Sequence, residues 1–163
     1  MCPPELAGRD VLIADILEGL DNAPGDPDRA TIFVGARGTG KTVLLTAIAE
    51  RAEMRGWISV NVTDRDGMLS EIIVQLRQKT SHILALETNS WLSEIHVHGV
   101  GFTRTREEVP STWRADMTKA VSELNEKGSG LLITVDEASA QSDELPVLID
   151  SFQHFVRERR DGG

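Results

Sequence analysis

The chain has 163 residues, of which 40% are hydrophobic and 26% charged, and this length and composition predict one globular domain over residues 1–163. The formal charge of −9 repels polyanions, so direct nucleic-acid binding by this segment is not expected. No apolar run approaches the roughly 18 residues of a membrane span, and the start resembles no signal peptide, so we expect a cytoplasmic protein that does not bind membranes.

The N-terminal part predicts a helix, a loop and a strand. Apolar residues recur at helical spacing over residues 11–20, which predicts a helix that begins near Asp10. Two prolines and a glycine within residues 22–28 predict a loop. The apolar run ATIFV, residues 30–34, then predicts the first strand.

The next segment, GARGTGKT, has the pattern G-x-x-x-x-G-K-[ST] between this predicted strand and a predicted helix. Glycines allow backbone N–H groups to approach phosphate oxygens, and the N-terminus of the following helix favours an anion. We expect Lys41 to reach the terminal phosphates of a nucleoside triphosphate and the Thr42 hydroxyl to bind Mg²⁺. The alternative is a glycine-rich turn without a ligand. The expected phosphate cradle comprises Gly35, Ala36, Arg37, Gly38, Thr39, Gly40, Lys41, Thr42 and Val43.

Alternating strands and helices follow this segment. The helix is expected to run to about Arg55, with Gly56 as its C-terminal cap, and residues 57–62 predict a second strand. Apolar spacing from Met68 predicts a further helix that continues or restarts through Leu86. This alternation predicts a mostly parallel sheet with helices on both faces.

The signal is weak over residues 89–110, where a hairpin or an irregular extension is predicted. His96 and His98 would share one face of a strand, and we favour solvent-facing residues over metal ligands because no cysteine lies nearby. Ser111 is predicted to cap a helix that Gly128 ends.

A second group of chemically informative residues ends the apolar run LLITV at residues 131–135. That run predicts a strand buried on both faces, and Asp136 and Glu137 follow it directly. Ligands of open α/β sheets bind at the carboxyl ends of strands. We expect Asp136 to hold Mg²⁺ or one of its waters and Glu137 to orient and deprotonate the attacking water. The alternative is that the two acids only begin the next helix.

The pair GARGTGKT and LLITVDE resembles the Walker A and Walker B motifs of P-loop ATPases of the AAA+ type. The segment LAGRD, residues 6–10, resembles the Gly-Arg box of origin-recognition-like and STAND-like members. The resemblance implies a three-layer α/β/α fold, ATP and Mg²⁺ as ligands, and catalytic roles for Lys41 and Glu137. It also implies adenine contacts for Gly8 and Arg9, for which an ordinary helix N-terminus is an equally good interpretation.

The sequence also departs from this family. The family's sensor strand, helical lid and arginine finger have no counterpart here, so we expect an incomplete, N-terminal portion of such a module. The Walker A and Walker B strands would then lack the strand between them, and another copy or a rearranged sheet would fill the gap. A homo-oligomer or a partner protein is therefore a possible assembly. The expected function is ATP binding with weak Mg²⁺-dependent hydrolysis. A nucleotide-dependent regulatory switch or assembly module, and a fragment without function, are the alternatives.

Overall fold

The computed structural model describes residues 8–22, 30–36, 38–84 and 109–161, and these residues form a mixed α/β structure. The helices are α1 (Asp10–Asp21), α2 (Lys41–Met54), α3 (Met68–Leu84), α4 (Val109–Glu126) and α5 (Leu145–Asp161). The strands are β1 (Ile58–Thr63) and β2 (Leu131–Asp136). No helix in these ranges is both long enough and apolar enough to cross a membrane. The predictions for His96 and His98 lie outside the described residues.

The two strands pair in parallel, which confirms the predicted strand direction. Ile58 lies opposite Leu131, and the register continues to Thr63 opposite Asp136. The backbone ladder extends one step further, because the N–H of Asp64 donates to the carbonyl oxygen of Asp136 at 3.0 Å. The carboxyl ends of β1 and β2 therefore lie side by side at one edge of the sheet.

Helices cover both faces of this sheet. Because side chains alternate along a strand, Leu131, Ile133 and Val135 pack into one hydrophobic cluster while Leu132 packs into the other. The first cluster joins β1 to apolar residues of α3, α4 and α5. The second joins α1 and α2, together with Phe33 and Trp57. The predicted arrangement of helices on both faces is therefore present around these two strands.

The prediction of a strand at residues 30–34 is wrong. Residues 31–36 form neither helix nor strand, and Ile32 and Val34 are 80% and 93% exposed. Phe33 between them packs against the second hydrophobic cluster. The physical reason is that a strand needs a neighbour for its N–H and C=O groups, and the sheet in the described part of the chain contains β1 and β2 alone.

The prediction that β2 is buried on both faces is also wrong, because Thr134 is the one residue of this strand that is buried. Its other residues are half-buried, since in the described ranges only β1 flanks this strand.

Two helix boundaries test the predicted caps. The helix α4 begins at Val109, so Ser111 lies inside its first turn instead of capping it. Pro110 is tolerated there because the first N–H groups of a helix have no partner within the helix. Gly56 and Gly128 have φ of 86° and 74° just after α2 and α4, which confirms both as helix-ending residues.

Candidate functional site

The glycine-rich segment forms a tight turn that leads directly into α2. Gly38 and Gly40 have φ of 82° and 73°, a region that residues with a Cβ rarely adopt. Gly40 is the N-cap of α2 and provides no side-chain cap, so the first N–H groups of the helix point toward the turn without a side-chain acceptor from a described residue. The sequence thus folds here into a left-handed glycine turn directly before a helix N-terminus. Arg37 lies outside the described residues.

The Lys41 ammonium group lies across the beginning of this turn. It donates to the carbonyl oxygens of Gly35 at 2.7 Å and Ala36 at 2.8 Å. The Thr39 hydroxyl donates to the same Ala36 oxygen at 2.8 Å. An ammonium group has three N–H donors, so one donor of Lys41 remains for an anion beyond these two carbonyls.

The structure joins Arg9 to the same turn. Its guanidinium donates from Nη1 to the Gly40 carbonyl oxygen at 3.2 Å and from Nη2 to the Thr39 carbonyl oxygen at 2.5 Å. Gly8 precedes it, exposed and with φ of 82°. Arg9 therefore anchors the turn through its backbone, a contact that the sequence interpretation as a base contact did not anticipate.

Two arginines, one in the last turn of α2 and one directly after it, join α1 to α2, the cradle helix that follows the glycine-rich turn. Arg55 donates to the carbonyl oxygen of Leu17 at 2.9 Å and to Asp21 at 2.8 Å. Arg51 pairs with Asp10 at 3.4 Å near the other end of α1. Arg9 directly precedes α1, the helix that these contacts join to α2.

Thr42 and Asp136 bring the two predicted motifs together. The Thr42 hydroxyl on the first turn of α2 donates to Oδ2 of Asp136, the last residue of β2, at 2.5 Å across 94 positions. The other carboxylate oxygen, Oδ1, accepts the backbone N–H of Glu137 at 2.9 Å. Asp136 thus joins the cradle helix to the end of the strand.

These two side chains fit the oxygen ligands that Mg²⁺ takes. Magnesium usually binds one or two protein oxygens and completes its shell with phosphate oxygens and waters. Within the described ranges, no group of three or more His, Cys, Asp or Glu side chains could hold a metal ion by itself. A site made by Thr42 and Asp136 would therefore depend on a phosphate ligand.

Glu137 has an unusual backbone conformation at this edge. It is the one non-glycine residue with positive φ in the described part of the chain, at 56°, and its side chain is exposed. Such a conformation costs on the order of 1–3 kcal/mol and persists where surrounding contacts enforce it. The Glu137 side chain makes no hydrogen bond to another described residue, so its carboxylate is free to bind a water.

Two predicted cradle residues have surroundings that describe their local role. Val43 is half-buried and packs into the second hydrophobic cluster, so its side chain supports α2 instead of facing a ligand. Gly35 lies against Thr39, whose hydroxyl would be 3.1 Å from a Cβ at this position.

Sequence reasoning missed Asp64 and the serines that it binds. Asp64 Oδ2 accepts the N–H of Ser139 at 2.8 Å, and Oδ1 accepts the Ser142 hydroxyl. The available signal was that Asp64 follows a predicted strand, so its side chain had to lie at the same edge as Asp136.

No protein-family model, curated protein or solved structure matches this chain.

Proposed function

We propose that this chain binds ATP together with Mg²⁺ and slowly hydrolyses the bond to the γ-phosphate. The observation that carries the proposal is the contact between Thr42 and Asp136. A short glycine-rich pattern alone arises by chance, whereas this contact is a second observation that joins the hydroxyl at its end to a carboxylate at the end of a parallel strand. The fold that we propose is that of a P-loop ATPase of the AAA+ type, supported by helices on both faces of β1 and β2.

The backbone would provide most of the phosphate binding. The turn at Gly38 and Gly40 has the backbone conformation, and α2 the free N-terminus, from which N–H groups would bind phosphate oxygens, and the helix dipole also favours negative charge there. Lys41 would neutralise the terminal phosphates, exchanging its contacts with the Gly35 and Ala36 carbonyls for phosphate oxygens.

Thr42 and Asp136 would hold the metal, and Glu137 would act on water. When bound, Mg²⁺ neutralises charge on the β- and γ-phosphates. Glu137 would accept a proton from the water that attacks the γ-phosphorus as the bond to the β–γ bridging oxygen breaks. Arginine fingers contribute about 10³ to 10⁵ in rate in related chemistry. For this chain acting alone we propose slow turnover.

Nucleotide affinity and phosphate release should be measured separately for the wild type, Lys41→Ala and Glu137→Gln. Lys41→Ala should lose affinity, whereas Glu137→Gln should bind nucleotide normally and release phosphate about 100-fold more slowly or worse. Lys119→Ala, which removes an exposed lysine of α4, is the matched control and should resemble the wild type. Equal nucleotide affinity in the wild type and Lys41→Ala would reject the cradle.

A second candidate function is a nucleotide-dependent switch for assembly with another copy or a partner protein. The Glu137 side chain is exposed and makes no hydrogen bond to a described residue, which favours binding without efficient turnover. If the chain is a switch, Glu137→Gln should change neither nucleotide affinity nor assembly state. An ATPase that uses hydrolysis to release its partner predicts that the same variant prolongs the assembled state.

A further inference from the structure

We infer that Asp64 is a positioning residue that holds Glu137 in place for water activation, an inference that rests on the proposed ATPase function. Asp64 directly follows β1, and its backbone N–H donates to the Asp136 carbonyl oxygen at 3.0 Å. Its own position is therefore fixed relative to the end of β2. From there, its carboxylate reaches the chain that follows Glu137.

The carboxylate of Asp64 binds that chain at two points. Oδ2 accepts the backbone N–H of Ser139 at 2.8 Å, and Oδ1 accepts the hydroxyl of Ser142. The Ser142 oxygen in turn accepts the N–H of Leu145, the first residue of α5, at 3.0 Å. The turn between β2 and α5 is thus closed onto the end of β1 by one side chain.

This closure explains how Glu137 keeps its left-handed conformation. On its N-terminal side, Asp136 Oδ1 accepts the Glu137 N–H at 2.9 Å. On its C-terminal side, Asp64 holds the N–H of Ser139 two residues later. With the chain held on both sides, the direction in which the Glu137 side chain leaves the backbone is determined, although the side chain itself is exposed.

Glu144 makes a different connection between the same two loops. Its carboxylate accepts the N–H groups of Gly67 and Leu69, both at 2.7 Å, and so caps the start of α3. These contacts stabilise a helix and lie seven residues beyond Glu137. The contacts of Asp64 lie next to Glu137, which is why we assign the positioning role to Asp64.

The test compares Asp64→Ala with Asp64→Asn. Asparagine can accept the Ser139 N–H through its oxygen and donate its NH₂ group to the Ser142 oxygen, so it preserves both connections. Asp64→Ala should lower kcat about 10- to 100-fold with unchanged nucleotide affinity, because a small misplacement of a catalytic group has effects of this size. Asp64→Asn should recover most of kcat. Asp66→Ala, which removes an exposed carboxylate of the same loop, is the matched control and should not change kcat.

A double variant separates positioning from general destabilisation. In a Glu137→Gln background, Asp64→Ala should cause no further loss of kcat, since the group that it positions is already missing. If Asp64→Ala does not fold, Ser142→Ala removes one of the two connections and should lower kcat in the same direction by a smaller factor.

The outcomes distinguish this inference from the proposed function. If the wild type releases no phosphate, both the proposed hydrolysis and the role of Asp64 are rejected. If the wild type releases phosphate and folded Asp64→Ala releases it equally fast, only the role of Asp64 is overturned. An equal loss in Asp64→Ala and Asp64→Asn, or a loss that persists in full in the Glu137→Gln background, would also overturn it.

Discussion

Arg9 donates a hydrogen bond to the carbonyl oxygen of Gly40 at 3.2 Å, which connects the start of α1 to the N-cap of the cradle helix across 31 positions. Its second nitrogen donates to the neighbouring Thr39 carbonyl. Because Arg9 binds these two carbonyl oxygens, the N–H groups of the same turn are available to bind an anion on the opposite side of the backbone. The contact therefore gives Arg9 a role in shaping the turn that we propose to bind phosphate, independent of any contact with a base.

This role predicts how Arg9→Ala changes ligand affinity. Loss of two charge-assisted hydrogen bonds should loosen the turn and weaken binding about 3- to 30-fold. The factor should be the same for ATP, GTP and inorganic tripolyphosphate, because the proposed site binds the phosphates that all three share. Titration calorimetry with the three ligands measures it.

Arg51→Ala is the matched control for this measurement. It removes the ion pair between Arg51 and Asp10, in which the Arg51 side chain is 36% exposed and the Asp10 side chain 67%. Such surface pairs contribute about 0–1 kcal/mol to stability. Its ligand affinities should stay close to those of the wild type. An Arg9→Ala effect on ATP that spares tripolyphosphate would instead support a contact with adenine.

The contact between Thr42 and Asp136 predicts a change in metal requirement. Thr42→Val removes the hydroxyl but keeps a β-branched side chain, so the Mg²⁺ concentration for half-maximal phosphate release should rise about 10- to 100-fold. Thr42→Ser keeps the hydroxyl and should resemble the wild type. Nucleotide affinity measured with a chelator present should be similar in all three proteins. A Mg²⁺ requirement that is unchanged in Thr42→Val would exclude Thr42 as a ligand.

The sequence predicted those parts of the structure that depend on local pattern. Helical spacing located α1 and α3, and the glycine-rich segment predicted the start of α2 correctly. The position of Asp136 at a strand end followed from the apolar run before it. Its meeting with Thr42 was predictable because both belong at the same edge of a parallel sheet.

Features that depend on long-range partners were not predictable. The run at residues 30–34 has the composition of a strand, but pairing decides whether such a run becomes one. Likewise, the Gln75 side chain binds both the N–H of Asn61 at 3.1 Å and its carbonyl oxygen at 2.8 Å, and so occupies the outer edge of β1. Nothing in a single sequence indicates that a helical glutamine takes the place of a neighbouring strand.

Gly130, just before β2, predicts a steric effect on stability. A Cβ at this position would overlap the six-membered ring of Trp57. Gly130→Ala should therefore push the indole away from the second hydrophobic cluster and lower the free energy of unfolding by about 1–3 kcal/mol. Urea unfolding measures this change.

A double variant checks the steric cause. Trp57→Leu removes the ring that the new methyl group would meet, so Gly130→Ala should cost much less in that background. If both backgrounds show the same loss, the cost comes from the backbone of Gly130 and not from the ring.

Glu53 at the end of α2 predicts a pH dependence of stability. Hydrogen bonds from Lys79, at 2.6 Å, and from the buried Ser59 hydroxyl hold the pKa of its carboxyl below the ordinary value of 4.5. Because the folded-state pKa is the lower one, this stabilisation is fully present above the unfolded-state pKa and is lost as pH falls through the folded-state pKa. The Glu53 side chain is 43% exposed, so we expect its charge to contribute less than about 1 kcal/mol to the free energy of unfolding.

Urea unfolding of the wild type and Glu53→Gln between about pH 7 and about pH 3 measures this contribution. The difference in free energy of unfolding between the two proteins should shrink toward the acid end. Glu50→Gln, an exposed position on the same helix, is the control and should show no such trend. A difference between the wild type and Glu53→Gln that stays constant across this range would mean that the charge of Glu53 contributes nothing to folding.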